Sequence, residues 1–259
     1  YLTDTFKGDA NVKAHLFSDD SPFLGVNDLS QLSQCERGLI LRNNKKLMSE
    51  GVRIIDFAHT YVNSPNIGQG TVIHPNVHID DKSVIGKNVV IEPGCIIVNS
   101  HIEDDATLKA HTYITDSIVR KSAKVGPMAQ LRPGSDIGEG SKLGNFVEVK
   151  KSVVAANTSI SHLSYLGDAQ VGENVNIGCG FITCNYDGAN KHKTIIGDGS
   201  FIGSDTQMIA PINIGKECYV ASGSTINQDM PDGSFAVARG RQTTKEGLAK
   251  RFIKKKDKK

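Results

Sequence analysis

The chain has 259 residues, 38% hydrophobic and 22% charged, which excludes a disordered polypeptide and allows one large domain or one domain with a piece of another. Thirty Lys and Arg against 28 Asp and Glu leave a net charge of +2, so no chain-wide nucleic-acid surface is predicted. Trp is absent, aromatics reach only 6% and Gly numbers 26, so a core must be assembled from repeated small aliphatic contacts.

Taken in chain order, residues 1–27 are mixed, with a strand-like stretch at 12–17, and read as the end of another domain. The first residue is Tyr1 rather than Met, so the chain reads as a fragment. Residues 28–60 read as a helical linker. Leu29, Leu32, Leu39 and Leu47 fall roughly on one face over 28–50, and Asp28 is a possible N-cap. Such a helix would cover the open edge of whatever sheet follows.

From residue 61 to 230 a six-residue ruler dominates. Ile67, Ile73, Ile79, Ile85, Ile91 and Ile97 are spaced by six. So are Val119, Val125, Leu131, Ile137, Leu143 and Val149, and again Ile196, Ile202, Met208, Ile214, Val220 and Ile226. Ile, Leu and Val fill 59 positions, so one such run arises by chance on the order of once in ten thousand starting points. Ordinary strands alternate with period two and have no reason to keep period six. The period predicts a parallel β-helix, in which six residues make one side of a triangular prism and three sides close a coil. Gly after the inward residue, as in Ile85-Gly86 and Ile202-Gly203, suits the corners. Counting slots from Ile67 to Ile226 gives about nine coils. One-residue slips after Ile97, Ile114, Val149 and Leu166 read as shortened corners, and the 13 residues from Thr183 to Ile196 imply a bulge over residues 184–194. Residues 231–259 carry no ruler; they read as a C-terminal arm and basic tail ending in the run Lys254-Lys255-Lys256-Asp257-Lys258-Lys259. No apolar run approaches the ~18 residues of a membrane span. No signal peptide is read in this sequence, and five unpatterned cysteines (35, 95, 179, 184, 218) favour a reduced, cytoplasmic compartment as the expectation.

The ruler also aligns coils. Residues in one slot of adjacent coils should lie ~4.8 Å apart. Arg132 and Lys150 each follow an inward residue, one coil apart, and should be stacked neighbours. Two like charges side by side cost free energy unless they splay into water or an anion sits between them, and a phosphate would serve. Two places past the inward residue runs Asn145, His162, Cys179, Ser204, Ser222. Small residues are ordinary at corners; His162 is not. An imidazole followed by small stacked residues suits a thin, extended ligand with its reactive end at His162. Gly178-Cys179-Gly180 is no dinucleotide fingerprint, since no helix follows, and Cys179 with Cys184 has the wrong spacing for zinc. His74, His78, His101 and His111 fall in different slots, which argues against a zinc site. Asn185-Tyr186-Asp187-Gly188 is a turn sequence, but it sits in the one long bulge.

At these residues the chain resembles a known family. Leu131-Arg132-Pro133-Gly134, residues 144–151 (GNFVEVKK), residues 162–168 (HLSYLGD), residues 176–191 (NIGCGFITCNYDGANK) and Gly203-Ser204-Asp205-Thr206-Gln207 resemble the acetyltransferase half of bacterial bifunctional N-acetylglucosamine-1-phosphate uridyltransferase/glucosamine-1-phosphate acetyltransferases. Tyr1-Leu2-Thr3-Asp4 and Gly25-Val26-Asn27 resemble the end of the uridyltransferase half. The resemblance implies a left-handed β-helix and a homotrimer with active sites between subunits. Acetyl-CoA would donate to the amine of glucosamine 1-phosphate, giving N-acetylglucosamine 1-phosphate for UDP-N-acetylglucosamine and cell-envelope synthesis. It implies His162 as catalytic base, and Arg132, Lys150, Tyr165, Asn176 and Lys191 as sugar-phosphate ligands. Asn185 and Tyr186 would lie near the acetyl group and sugar, and Cys179, Ser204, Ser222, Arg239 and Lys245 would contact acetyl-CoA. The family more often has Ala where Cys179 and Ser222 stand. Asn27 matches a ligand of the Mg2+ used in uridyl transfer, but the Gly-rich nucleotide loop and partner Asp of that site are absent from the sequence, so this chain alone should not make UDP-N-acetylglucosamine. No metal is expected for acetyl transfer.

A neutral imidazole, with an unperturbed pKa of ~6.5, can take a proton as the sugar amine attacks the thioester, a role worth roughly 10²–10⁴-fold in rate. Asn145, stacked beneath it, could orient the ring. Backbone N–H groups beside Cys179 or the Tyr186 hydroxyl are candidate donors to the oxyanion. Two other readings stand beside this one: a same-fold acyltransferase with a different acceptor, and a non-catalytic trimerising scaffold.

Overall fold

The computed structural model describes residues 13, 15–18 and 23–253. The motif at residues 1–4 and the basic run at 254–259 lie outside the described residues, as do residues 12 and 14 of the strand-like stretch; residues 15–17 form no strand.

Among the described residues, nearly every strand is two or three residues long, and every inter-strand pair is parallel. The strands stack in three columns. The first face runs from Arg53–Ile54 through Val72–Ile73, Val90–Ile91, Thr107–Leu108 and Lys124–Val125 to Tyr219–Val220 and Phe235–Ala236. The second runs from Tyr61–Val62 to Thr225–Ile226. The third is an eight-stranded sheet from Val84–Ile85 to Ile212–Ile214, lengthened by bridges from Ile67 and Met230. This is the parallel β-helix of hexapeptide repeats expected from the ruler, with the left-handed winding that the resemblance implies.

The inward residue of most strands is an aliphatic side chain, and it is sealed: Ile73, Ile91, Leu108, Val125, Leu131 and Val149 are all at 0% exposure. Burying each such side chain stabilises the fold by roughly 1.5–3 kcal/mol. The corners are taken by residues that tolerate a left-handed backbone. Of the sixteen non-glycine residues at positive φ among the described residues, nine are Asn or Asp, whose short side chains bond locally. The shortened corners place Asn99, Asp116, Lys151 and Asp168 at φ between 44° and 50°.

The stack is taller than the ruler indicates. Eleven strands pile up on the first face, about 48 Å at the ~4.8 Å spacing, against nine coils counted from sequence. At the base the inward residues are Ile54 and Val62, eight positions apart, and at the top the slot is filled by Ala236, so period six with large aliphatics misses both ends.

Helix α1 (Leu29–Ser49) covers the first coil. Asp28 caps it, accepting from Gln31 N–H at 2.8 Å. Only its last turns pack: Leu47 is buried, and Asn44 donates through Nδ2 to Phe57 O and Thr60 O, both at 2.8 Å. Leu29, Leu32 and Leu39, expected on the buried face, are exposed, because the helix overhangs the prism beyond its last turns.

Candidate active site

Two strands stacked on adjacent coils, Lys142–Lys150 and Ser159–Gly167, are nine residues long where their neighbours have two or three. They run without interruption from the first face round a corner to the second. Gly144 makes this possible, because a Cβ there would collide with the carbonyl oxygen of Ser161 on the next coil. The register pairs Asn145 with His162, Glu148 with Tyr165 and Lys150 with Gly167. The corner also holds Met128, Phe146 and Leu163 at φ of 53°, 58° and 42°, all half exposed or more. Bulky side chains at positive φ are uncommon, and such strain gathers at functional sites.

His162 is exposed, and its Nδ1 lies 2.9 Å from Asn145 Oδ1. An amide oxygen accepts, so Nδ1 carries the proton and Nε2 of a neutral ring holds the free lone pair. The column above it follows the predicted order. Ile160 pairs with Ile177, Ile177 with Ile202 and Ile202 with Val220, which stacks Cys179, Ser204 and Ser222 beyond His162. Asp205 N–H donates to Cys179 O, and Gly223 N–H to Ser204 O. Arg239 caps this column, donating from Nη1 to Ser222 O at 2.7 Å, while Lys245 lies exposed further along the arm.

The concavity beside His162 opens on its other side. A cleft of about 280 Å3 is lined by Lys109, Lys124, Lys142, Asn145, Ser161 and His162. The small side chains above His162 leave an open surface in the single chain, whereas lysine stems wall the lower side.

At the far edge of the second face three cations converge. Leu131 pairs with Val149, so Arg132 and Lys150 are neighbours as predicted. The ammonium of Lys191, delivered by the bulge, lies against that of Lys150. It holds Lys150 below the usual lysine range, with burial and Arg132 adding to the effect and Asp168 opposing it. Glu148, not picked out from sequence, accepts from Arg132 Nη1 at 2.7 Å. Tyr165 lies between the edges, with its hydroxyl and Asn185 Nδ2 both over Gly167, where a Cβ would strike them.

The bulge spans residues 185–193, between strands Ile182–Cys184 and Thr194–Ile196, so Cys184 and Thr194 are strand ends rather than loop. It is tied internally. Asp187 accepts from the N–H groups of Ala189 and Asn190 and lies 2.7 Å from His192 Nε2, and these bonds hold its carboxyl well below the ordinary range. The Tyr186 hydroxyl donates to Gly188 O at 2.6 Å.

The chain does not gather every candidate residue. Asn176 is exposed on the first face, between Ser159 and Phe201, on a different side of the prism from the cation cluster. Asn27 precedes α1, its N–H donating to Gln31 Oε1. Among the described residues no group of three or more His, Cys, Asp or Glu side chains is arranged to hold a metal, and no helix is long and apolar enough to cross a membrane.

The fold and repeat define the class, a hexapeptide-repeat β-helix protein. Residues 193–228 match the bacterial transferase hexapeptide model, and residues 61–132 match that of the GMPPB C-terminal domain. The bifunctional protein GlmU of Geotalea uraniireducens (strain Rf4) is 46% identical over 252 residues, covering 95% of this chain and 55% of that protein. GlmU of Staphylococcus haemolyticus (strain JCSC1435) is 48% identical over 234 residues, 90% of this chain and 52% of that protein. In sequence the chain is similar to these bifunctional GlmU proteins over most of its own length, and it spans about half the length of the curated relatives it matches. Among solved structures, LpxA, a UDP-N-acetylglucosamine acyltransferase from Bacteroides fragilis 9343, is 15% identical, covering 71% of this chain and 70% of that one at a TM-score of 0.36.

Proposed function

We propose that this chain transfers the acetyl group of acetyl-CoA to the amine of glucosamine 1-phosphate, forming N-acetylglucosamine 1-phosphate. The observation that carries the reading is that His162, with Nε2 free, stands at one edge of the second face while Arg132, Lys150 and Lys191 meet at the other. His162 and Gly167 are five residues apart on one strand that turns at Leu163, at most about 16 Å between Cα atoms. Side chains reaching inward from both edges leave room for one phosphosugar across Tyr165.

In this reading the phosphate sits among the three cations, where charge-assisted hydrogen bonds fix it. The amine then faces His162. Nε2 takes the proton as the amine attacks the thioester carbonyl, and Asn145 holds the ring in the tautomer that leaves Nε2 available. The adduct then collapses with the C–S bond breaking, the CoA thiolate leaving as a thiol on receiving that proton back from Nε2. The oxyanion needs a donor. Gly178 N–H and Gly180 N–H are bound to Ile202 O and Leu163 O, but among the described residues Cys179 N–H has no acceptor. It is the better candidate, since the Tyr186 hydroxyl is engaged by Gly188. Acetyl-CoA would extend along Cys179, Ser204 and Ser222 toward Arg239 and Lys245.

Asn176 on the first face cannot reach the cluster in its own chain, so we read the working form as a homotrimer in which a neighbouring copy completes each site. We take residues 61–230 as the catalytic part of the prism, whose end strands Arg53–Ile54 and Phe235–Ala236 lie in the flanking linker, 28–60, and arm, 231–259. The parent protein is proposed to carry uridyltransferase activity as well, where Asn27 would serve a Mg2+ site, and to act in the cytoplasm.

The test is thiol release from acetyl-CoA with glucosamine 1-phosphate as acceptor. His162→Ala lowers the turnover at least ~100-fold while leaving the oligomer intact. Retained turnover in that variant removes His162 from the base role, and no thiol release by the unaltered chain removes the activity.

A further inference from the structure

The bulge is the part of the cation cluster that the repeat does not position. Residues 185–193 leave the coil for nine positions, yet Lys191 returns to lie against Lys150. One residue holds both ends of this excursion. Asp168 sits at a shortened corner with φ of 50°. Its carboxylate accepts from Asn185 Nδ2 at 2.6 Å, where the bulge begins. Its carbonyl accepts from Thr194 N–H at 3.2 Å, where the bulge ends. Its own N–H donates to Lys150 O at 3.1 Å, which fixes the corner to the strand that carries the clamp lysine. Asn185 is only 6% exposed, so its amide is committed to this bond rather than to water.

We infer that Asp168 is a positioning residue, which staples the bulge at both ends and so sets Lys191 beside Lys150 and Arg132. The inference rests on the reading of that cluster as a phosphate clamp. A second consequence is electrostatic. Arg132, Lys150 and Lys191 bring three positive charges, and Glu148 and Asp168 bring two negative ones. The staple therefore tempers the repulsion among the cations while the site is empty and still leaves an excess positive charge for an anionic ligand.

Two substitutions separate the geometric role from the charge. Asp168→Ala removes the side-chain bond and the charge. Asp168→Asn keeps an oxygen that can accept from Asn185 and removes only the charge. Hydrogen–deuterium exchange of the full chain is followed over peptides covering residues 185–194, and steady-state constants are measured for both substrates.

Asp168→Ala is expected to speed exchange in the bulge about tenfold and to raise KM for glucosamine 1-phosphate about tenfold, with a smaller change in KM for acetyl-CoA. Asp168→Asn is expected to restore bulge protection and to bring KM for the phosphosugar back within about threefold. It also moves the alkaline rise of that KM to lower pH, because Lys150 loses the nearby negative charge that opposes its depression. Unchanged bulge exchange in Asp168→Ala overturns the staple. Equal rises of KM in the two variants overturn it as well, since charge alone then accounts for the effect. The exchange measurement needs no turnover, so bulge loosening without any acetyl transfer preserves the staple and rejects the proposed activity.

Discussion

Arg120 and Arg132 occupy the same slot of the ruler, one position past an inward aliphatic residue, and they meet opposite surroundings. Arg120, on the third face, is saturated. It donates to both oxygens of Asp136 at 2.9 and 2.8 Å and to Glu103 at 3.0 Å, which pushes its pKa above the usual arginine value. Arg132 has one carboxylate, Glu148, and beside it Lys150, which Lys191 also approaches. A cation matched by carboxylates is explained by the fold alone. Cations that outnumber their counter-ions raise the free energy of the empty protein, and they make sense when a ligand supplies the missing charge. The slot is the same; the charge balance around it separates a structural arginine from a binding one.

Several substitutions break or sharpen this contrast. The largest effect is expected at the unbalanced cluster. Arg132→Ala removes a charge-assisted bond worth about 1.5–3 kcal/mol and so raises KM for glucosamine 1-phosphate about 10–100-fold, with little change in KM for acetyl-CoA. Steady-state kinetics with each substrate varied in turn reads this directly, and equal rises for both substrates contradict the clamp.

A smaller effect is expected from pH. Lys150 binds phosphate as an ammonium, and its neighbours hold its pKa below the ordinary lysine value. The charged form is therefore lost as pH rises through that lowered value, and KM for the phosphosugar climbs before an ordinary lysine would titrate. Lys150→Arg, which stays charged, flattens the climb. A wild-type KM that stays level across that range argues against the convergence of the three cations.

The smallest effect belongs to the balanced cluster. Arg120→Ala leaves Asp136 and Glu103 without their partner and costs on the order of 1 kcal/mol, kept low because all three side chains are partly exposed. Denaturant melts detect the loss, and both KM values stay at wild type. A raised KM in this variant erases the distinction between the two arginines.

How far the sequence reached depends on which residues the ruler governs. Equal steps of six along a parallel stack turn spacing into vertical neighbours, so Asn145 under His162 and Arg132 beside Lys150 are legible in the sequence. Glu148 was not. It lies one place before its inward residue and meets Arg132 across coils, a contact that depends on which way a long side chain leans. The bulge itself was legible in the 13-residue gap, but its contacts escaped for a different reason. It leaves the repeat, so nothing in the spacing brings Lys191 to Lys150 or ties Asn185 to Asp168. The ends of the prism were missed because Ile54, Val62 and Ala236 break either the period or the preference for bulky aliphatics. The cleft beside His162 opened on the lysine-lined side because side-chain length, which periodicity does not register, decides where walls stand.

The most direct test of the central claim compares two acceptors in the thiol-release assay, glucosamine 1-phosphate and glucosamine itself. If the cations at one edge of the second face hold a phosphate while His162 works at the other, kcat/KM falls at least ~100-fold when the phosphate is removed, and Arg132→Ala shrinks that gap by tenfold or more. Equal turnover of the two acceptors, or a gap that Arg132→Ala leaves untouched, contradicts the account.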